Sequence, residues 1–344
     1  MLTAFASLLL KRCEMPSELG LLFLSATDVQ ELLNVDLAIE SQRTAFAELG
    51  AGRALLPARL LIAGGQESVS FCYAARLGPD KGAVCKFGSV NPANSKLGLP
   101  TVSALITVLD GNDGRPVAIM DGAAVTTIRT SAASAVAVQA LANPHSRSLA
   151  ILGSGVQAFA HVLAISRVLS LASVRVWGDD AAQCATLVRT LSETYPFDVS
   201  QAATAEQAVH HADVVIGCTT SFDPIIESEW LQEGATVISI GSFASDRCEV
   251  PQALLRRADA VVVDDVDTAT AHAGPIVAAI SSGLLATGQL ISLGEVIAGF
   301  RSARSTPADI IYYNSVGIGV QDAAAASIVV DAARAAGKGQ WVTL

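Results

Sequence analysis

Residues 149–158 read Leu149-Ala150-Ile151-Leu152-Gly153-Ser154-Gly155-Val156-Gln157-Ala158: four apolar residues, enough for a buried parallel strand, that run straight into Gly-x-Gly-x-x-Ala. Helical spacing follows at once, with Ala158, His161, Val162, Ile165, Val168 and Leu169 recurring at threes and fours. Strand, glycine turn and helix in that order predict a dinucleotide-binding unit. Gly153 allows the tight turn, Gly155 lets a pyrophosphate approach the backbone, and Ala158 is small enough for helix and strand to pack closely. Ser154, Val156 and Gln157 complete the turn, and the phosphates would sit on the free N–H groups where the helix begins.

The next unit supports this. Val174-Arg175-Val176-Trp177 reads as a second strand and ends in Gly178-Asp179-Asp180. Asp179 stands about 20 residues past the glycine turn, where a carboxylate would accept hydrogen bonds from an adenosine ribose. An acidic turn capping the helix near Ala181 is the plainer use of this pair, and Asp180 suits it. An acid here repels a 2′-phosphate, so the expected cofactor is NAD or NADP, with NAD favoured.

The 344 residues leave room for two domains, and 51% hydrophobic content supplies their cores. A net charge of −10 makes a nucleic-acid groove an unsuitable reading. Cys13, Cys72, Cys85, Cys184, Cys218 and Cys248 are scattered without a Cys-x-x-Cys pair, which reads as reduced cytoplasmic thiols. The five histidines form no pair at helical spacing, and neighbouring His210 and His211 should point apart. No metal site is expected. Mean hydropathy is +0.47, yet the apolar stretches break before the roughly 20 residues a membrane span needs. Leu2 to Leu10 precede Lys11-Arg12, the reverse of signal-peptide order. They read as a frayed or dimer-packed segment, the role of residues 1–20 being otherwise open.

Outside the nucleotide unit the texture is mixed. Thr27-x-x-Gln30 predicts a capped helix, and a second should run from Val35 or Asp36 to Leu49. Strands are expected at Leu60–Ile62, Val69–Tyr73, Gly82–Phe87 and Ser103–Leu109. Asp110-Gly111-Asn112-Asp113-Gly114 then turns the last of these into a hairpin with Pro116–Met120. Thr126 or Thr127 should cap a helix to about Leu141. Further apolar strands at Asp213–Ile216, Ala235–Ile240, Ala260–Val263 and Ile310–Tyr313 alternate with helices, a doubly wound pattern. An Ala-rich helix from about Gln321 to Ala336 ends at Gly337, with no strand evident after it. The fold class expected is α/β: a Rossmann domain over 126–319 and an α+β substrate and dimerisation domain from 1–125 and 320–344.

Three cations stand in unusual places. Arg129 falls in the first turn of the helix expected to start at Thr126 or Thr127. A cation there opposes the helix dipole by roughly 0.3–1 kcal/mol unless an anion joins it. A substrate carboxylate would satisfy both the arginine fork and the N–H groups; a solvated surface arginine is the alternative. Lys86 sits between Cys85 and Phe87 in an apolar strand, where lost solvation lowers its pKa and fits it to give a proton to, or polarise, a C=N or C=O group. Guarding an edge strand is its bland alternative. Arg59 by itself reads as an ordinary loop cation.

Several segments together resemble the ornithine cyclodeaminase/mu-crystallin family: Lys86-Phe87-Gly88-Ser89-Val90-Asn91-Pro92-Ala93-Asn94, Gly98-Leu99-Pro100, Asp121-Gly122, Thr127-Ile128-Arg129-Thr130-Ser131-Ala132-Ala133, the Gly153 to Ala158 turn, Thr219-Thr220-Ser221, Gly241 to Glu249, and Ser315-Val316-Gly317-Ile318. The similarity spans roughly residues 24 to 336. It implies a homodimer acting on a small amino or imino acid, with Arg59 and Arg129 on the substrate carboxylate and Lys86 at the reacting nitrogen or carbonyl. Thr130, Thr219, Ser315 and Gly317 would join the glycine turn and Asp179 around the cofactor. Cyclodeaminases of the family carry Gly-x-Asp where this chain has Gly241-Ser242-Phe243. Phe243 cannot handle a second amine, so it is expected in the substrate site of an imino-acid reductase such as one acting on Δ1-pyrroline-2-carboxylate. Asp246 is three positions off. A cyclodeaminase, and a nucleotide- or ligand-binding protein with little turnover, are the two rival readings.

Overall fold

The computed structural model describes residues 20–65 and 68–343. The expectations for Leu2–Leu10 and Cys13 lie outside the described residues.

Alternating burial builds the first sheet. After β1 (Leu21–Leu24), helices α1 (Ala26–Leu32) and α2 (Val35–Gly50) lead to β2 (Leu60–Ala63), β3 (Val69–Ala75), β4 (Val84–Val90), β5 (Val102–Leu109) and β6 (Pro116–Asp121). Lys86 pairs with Tyr73 on one side and Ile106 on the other, and Ile106 with Met120. That row is buried. The alternate row, Leu60–Cys72–Phe87–Leu105, faces outward, and Phe87 is 58% exposed. The hairpin joining β5 and β6 matches the turn signal, Asp110 Oδ1 accepting the N–H of Asn112 at 2.8 Å.

Helix α3 (Gly122–Leu141) leaves this sheet and packs against α2 and the next helix, its long run of buried Ala, Ser and Val side chains allowing close approach. There follow β7 (Ser148–Leu152), α4 (Val156–Ile165), β8 (Ser173–Trp177), α5 (Ala181–Thr194), β9 (Asp198–Gln201), α6 (Ala205–Val209), β10 (Val214–Gly217), β11 (Thr236–Ser239), α7 (Gln252–Arg257), β12 (Ala260–Val263), α8 (Val266–His272), α9 (Gly274–Ser281), β13 (Ile291–Ser292), α10 (Leu293–Ile297) and β14 (Ile311–Asn314). These strands form an all-parallel sheet in the order β13-β12-β14-β11-β10-β7-β8-β9. Strands β10, β11, β12 and β14 are buried throughout, as continuous apolar runs covered on both faces must be. This is the doubly wound Rossmann architecture that the glycine turn predicts, and the order reverses between β7 and β10.

The long helix α11 (Gly319–Ala336) then returns to the first sheet, packing on α2, β3 and β4, and stops at left-handed Gly337. A last strand, β15 (Gln340–Val342), pairs antiparallel with β1. Sequence reading ended the structure at Gly337. Three residues with one large aromatic side chain, Trp341, carry too little periodicity to announce a strand.

Other local expectations need correction. Ser25, not Thr27, caps α1: its Oγ and the Asp28 carboxylate satisfy each other's backbone N–H in a capping box. Asp121 caps α3 by accepting the N–H of Ala124 at 2.7 Å, so the helix begins at Gly122. Thr126 and Thr127 lie inside it, their hydroxyls bonded to carbonyls one turn back. The His210 and His211 rings do not diverge. His211 adopts φ 62°, which brings its ring to 4.1 Å from that of His210. Cys72 and Cys85, distant in sequence, have sulfurs 3.4 Å apart across β3 and β4. Among the described residues no helix is long and apolar enough to cross a membrane, and no group of three or more His, Cys, Asp or Glu side chains is placed to hold a metal.

Candidate functional site

The glycine turn sits at the C-terminal end of β7, beside the point where strand order reverses. Gly153 adopts φ 124°, and a Cβ there would lie 2.8 Å from the Cys218 carbonyl oxygen, so only glycine fits. Gly155 caps α4 without a side-chain acceptor, and nothing stands within 4 Å of where its Cβ would be. The free N–H groups of a ten-residue helix therefore face open space, a cradle suited to a pyrophosphate. Ser154 reaches Gln183 at 3.2 Å, Ala158 is buried against the strand, and Val156 is exposed. The Gln157 carbonyl bonds the His161 ring. Asp180 caps α5 as expected, leaving Asp179 exposed at the end of β8. From Gly178 to Gln183 there is no cation to receive a 2′-phosphate.

Two buried carboxylates, unforeseen in the sequence, hold the loops that face this turn. Glu249 accepts the Thr219 N–H (2.7 Å) and hydroxyl (2.8 Å), the Gly241 N–H (2.8 Å) and the Ser239 hydroxyl (2.6 Å). Burial pushes its pKa up, against the pull of those donors. Asp264 accepts the N–H groups of Val316 (2.8 Å) and Gly317 (2.6 Å), and burial raises it to about 6. Ser315 is buried, its N–H on the Ser239 carbonyl at 3.0 Å. The available signal was an acid directly after an apolar strand, as in Val263-Asp264, which cannot remain buried without donors.

The cations of the sequence reading meet on the other side of the Gly317 loop. Lys86 is 2% exposed, with Nζ 2.7 Å from Asp322 and 3.2 Å from the Thr126 hydroxyl. Its ammonium also faces the Tyr73 ring at 5.1 Å. Burial lowers its pKa to about 8; Asp322 opposes that shift and Arg129 adds to it. Arg129 Nε lies 3.1 Å from the other Asp322 oxygen, and Nη1 donates to Gln321 at 3.2 Å. Its guanidinium lies against Gly317, whose Cβ would meet it at 3.1 Å. The expected position in a first helical turn is therefore wrong. Arg129 is two turns inside α3, and its buried charge is answered by Asp322 rather than by a helix terminus. Thr130, one residue on, is partly buried and bonds the Thr126 carbonyl.

Arg59 is brought to the same place from the loop before β2. It donates to the Phe243 carbonyl at 3.1 Å and to the Tyr73 hydroxyl at 3.4 Å, while its Nε is buried without a partner. Lys86, Arg129 and Arg59 against Asp322 leave an excess of positive charge in a largely desolvated cluster, which calls for an anion. A cavity of about 370 Å³ opens beside Arg59, Tyr73 and Phe243, and Asp246 stands exposed at its edge. Tyr73, Gln321 and Asp322 were missed. Asp322 reads in sequence as an ordinary acid at a helix start, and only the return of α11 to the first sheet reveals that it must be buried.

The sequence profile of the ornithine cyclodeaminase/mu-crystallin family matches residues 21–337. The structure of Thermococcus litoralis Δ(1)-pyrroline-2-carboxylate reductase in complex with NADH and L-proline is similar, with a TM-score of 0.90 and 29% identity over 94% of this chain and 100% of that one. An archaeal alanine dehydrogenase dimer with bound NAD gives 0.90 and 28%, covering 94% and 99%. A lysine cyclodeaminase, whose structure describes recognition of L-lysine, L-ornithine and L-2,4-diaminobutyric acid, gives 0.84 and 27%, covering 94% and 96%.

Proposed function

The chain belongs to the ornithine cyclodeaminase/mu-crystallin family, and from that premise we propose that it transfers hydride between NAD(P)H and the C=N carbon of a small α-imino acid, giving an L-amino acid, or runs the reverse oxidation. The observation that carries this reading is the buried Lys86–Asp322–Arg129 cluster, next to Tyr73 and Arg59, which line an open cavity. Arg59 and Arg129 hold the substrate carboxylate and so fix the plane of the C=N bond. A bound reduced nicotinamide supplies the hydride, and NAD is favoured by the acidic, cation-free end of β8. As carbon accepts the hydride, the C=N electron pair moves to nitrogen, which needs a proton. Lys86, with its pKa near 8, holds or supplies that proton. The remaining contribution is positioning. In this reading residues 1–125 and 320–344 form the substrate and dimer unit and 126–319 the nucleotide unit. Thr130, Gly153 to Ala158, Asp179, Thr219, Ser315 and Gly317 contact the cofactor. The outward apolar row around Phe87 meets a second copy, as the dimeric state of the alanine dehydrogenase supports.

The test is NADH or NADPH absorbance with Δ1-pyrroline-2-carboxylate and linear imines, in the wild type and in Lys86→Ala and Arg129→Ala. Consumption that falls at least about a hundredfold in both variants supports the proposal; the same rate in the variants overturns it. A second reading, cyclodeamination, is favoured by Asp246, which lines the cavity even though Phe243 occupies the expected acidic position. Ammonia from ornithine with no net change in cofactor absorbance would put it first.

A further inference from the structure

The cavity beside Arg59 is far larger than a methyl group or a five-membered ring requires, and its walls are mostly apolar. Leu61 and Val69 line it from β2 and β3, Phe71 from β3, Val90 from the end of β4, and Phe222 and Phe243 from the loops after β10 and β11. An apolar cavity of about 150 Å³ holds a benzene molecule, whereas this one measures about 370 Å³. None of the residues assigned above to the cofactor lines it, whereas Arg59, assigned to the substrate carboxylate, does. Leu61 remains 43% exposed and Phe222 57% exposed, leaving large apolar surfaces open inside a concave site.

The charges at the cavity are arranged to leave its middle apolar. Arg59 and Tyr73 mark the end that leads to Lys86, where the carboxylate and the reacting nitrogen belong. The Arg247 guanidinium lies over Phe222 at 4.7 Å and Phe243 at 5.4 Å and donates to the Thr220 carbonyl, so it is already partnered. Asp246 is at the exposed edge.

We propose that this cavity is the side-chain subsite and that it selects an α-imino acid with a bulky apolar side chain, an aromatic ring in particular. The proposal rests on the reductase reading given above and narrows its substrate class. Edge-to-face or offset contacts with Phe71, Phe222 and Phe243 would hold such a ring, while Arg59 and Arg129 hold the carboxylate at the other end.

The experiment compares imines formed in excess methylamine from pyruvate, phenylpyruvate and oxaloacetate, with NADH as reductant. The expected result is a kcat/KM for the phenylpyruvate imine at least about tenfold above that for pyruvate, the discrimination a few methylenes provide. That ratio should fall by a similar factor in Val69→Trp, which fills the cavity, and in Phe222→Ala, which removes a wall. Equal rates, or a ratio unmoved by both variants, would overturn the proposal. So would preference for the oxaloacetate imine, which would assign the cavity to a second carboxylate on Arg247. If no imine is turned over, the reductase reading fails separately. Calorimetric titration of L-phenylalanine and L-alanine into the NAD-saturated protein then decides the subsite: tighter phenylalanine binding that Val69→Trp abolishes supports it, and equal binding overturns it.

Discussion

A lysine sealed from water stays charged only if an opposite charge stands beside it. For Lys86 that is Asp322, a carboxylate shared with Arg129. If the ammonium form is the working one, the rate of imine reduction should hold at neutral pH and fall as pH rises through about 8. Asp322→Asn removes the charge that favours the ammonium, so the alkaline limb of the pH–rate profile should move to lower pH; an unmoved limb would dissociate Lys86 from it. The same variant leaves two buried cations without their anion and should lower stability by about 3–5 kcal/mol, measurable by urea titration. The sequence made Lys86 legible because an ammonium interrupts an apolar strand. It made Arg129 conspicuous for the wrong reason, since the helix start was misplaced by about one turn. Asp322, Glu249 and Asp264 stayed hidden because an acid near a helix or strand end has a cheap solvent-exposed use, and only distant backbone donors and cations reveal a buried one.

Among the elements, α3 and α4 are held together partly by a histidine that must stay neutral. His161 Nε2 meets the Ser134 hydroxyl at 2.9 Å and Nδ1 the Gln157 carbonyl at 2.7 Å, so the proton sits on Nδ1 and Nε2 accepts. Burial lowers its pKa from 6.5 to about 4. The folded protein therefore binds fewer protons than the unfolded chain between those values. Stability should be full above pH 6.5, decline as pH falls toward 4, and lose up to about 3 kcal/mol through this group. His161→Gln should flatten that part of the stability–pH curve; an unchanged slope would exclude the histidine as its source. The glycine turn supports a second test at this scale. Gly153→Ala puts a Cβ against Cys218 at a backbone angle alanine rarely adopts, costing about 1–3 kcal/mol of strain and weakening NAD binding at least about tenfold in a fluorescence titration. Wild-type affinity in a folded variant would remove the turn from the cofactor site. These elements were readable because strand, glycine and helix each leave a local mark. β1 and β15 were not, each being only three or four residues long and recognisable only when paired.

Across the whole molecule, the outward row of Leu60, Phe87 and Leu105 leaves apolar side chains more than half exposed on one face of the first sheet. In the proposed dimer a second copy covers them; Phe87→Glu with Leu105→Glu should then shift sedimentation to the monomer, and a wild-type profile in the double variant would place the interface elsewhere. The general plan of two units was legible because the alternating and continuous apolar runs differ in kind, whereas the closure of the first sheet by the far end of the chain has no local signature. That closure fixes an order of events during synthesis. Every strand of the parallel sheet has been made by residue 314, but β1 waits for β15, and Lys86 waits for Asp322, some hundreds of residues downstream. On the ribosome the first of these two sheets to be translated is thus the second to be completed, and the nucleotide cradle is made while Lys86 and Arg129 still lack their anion.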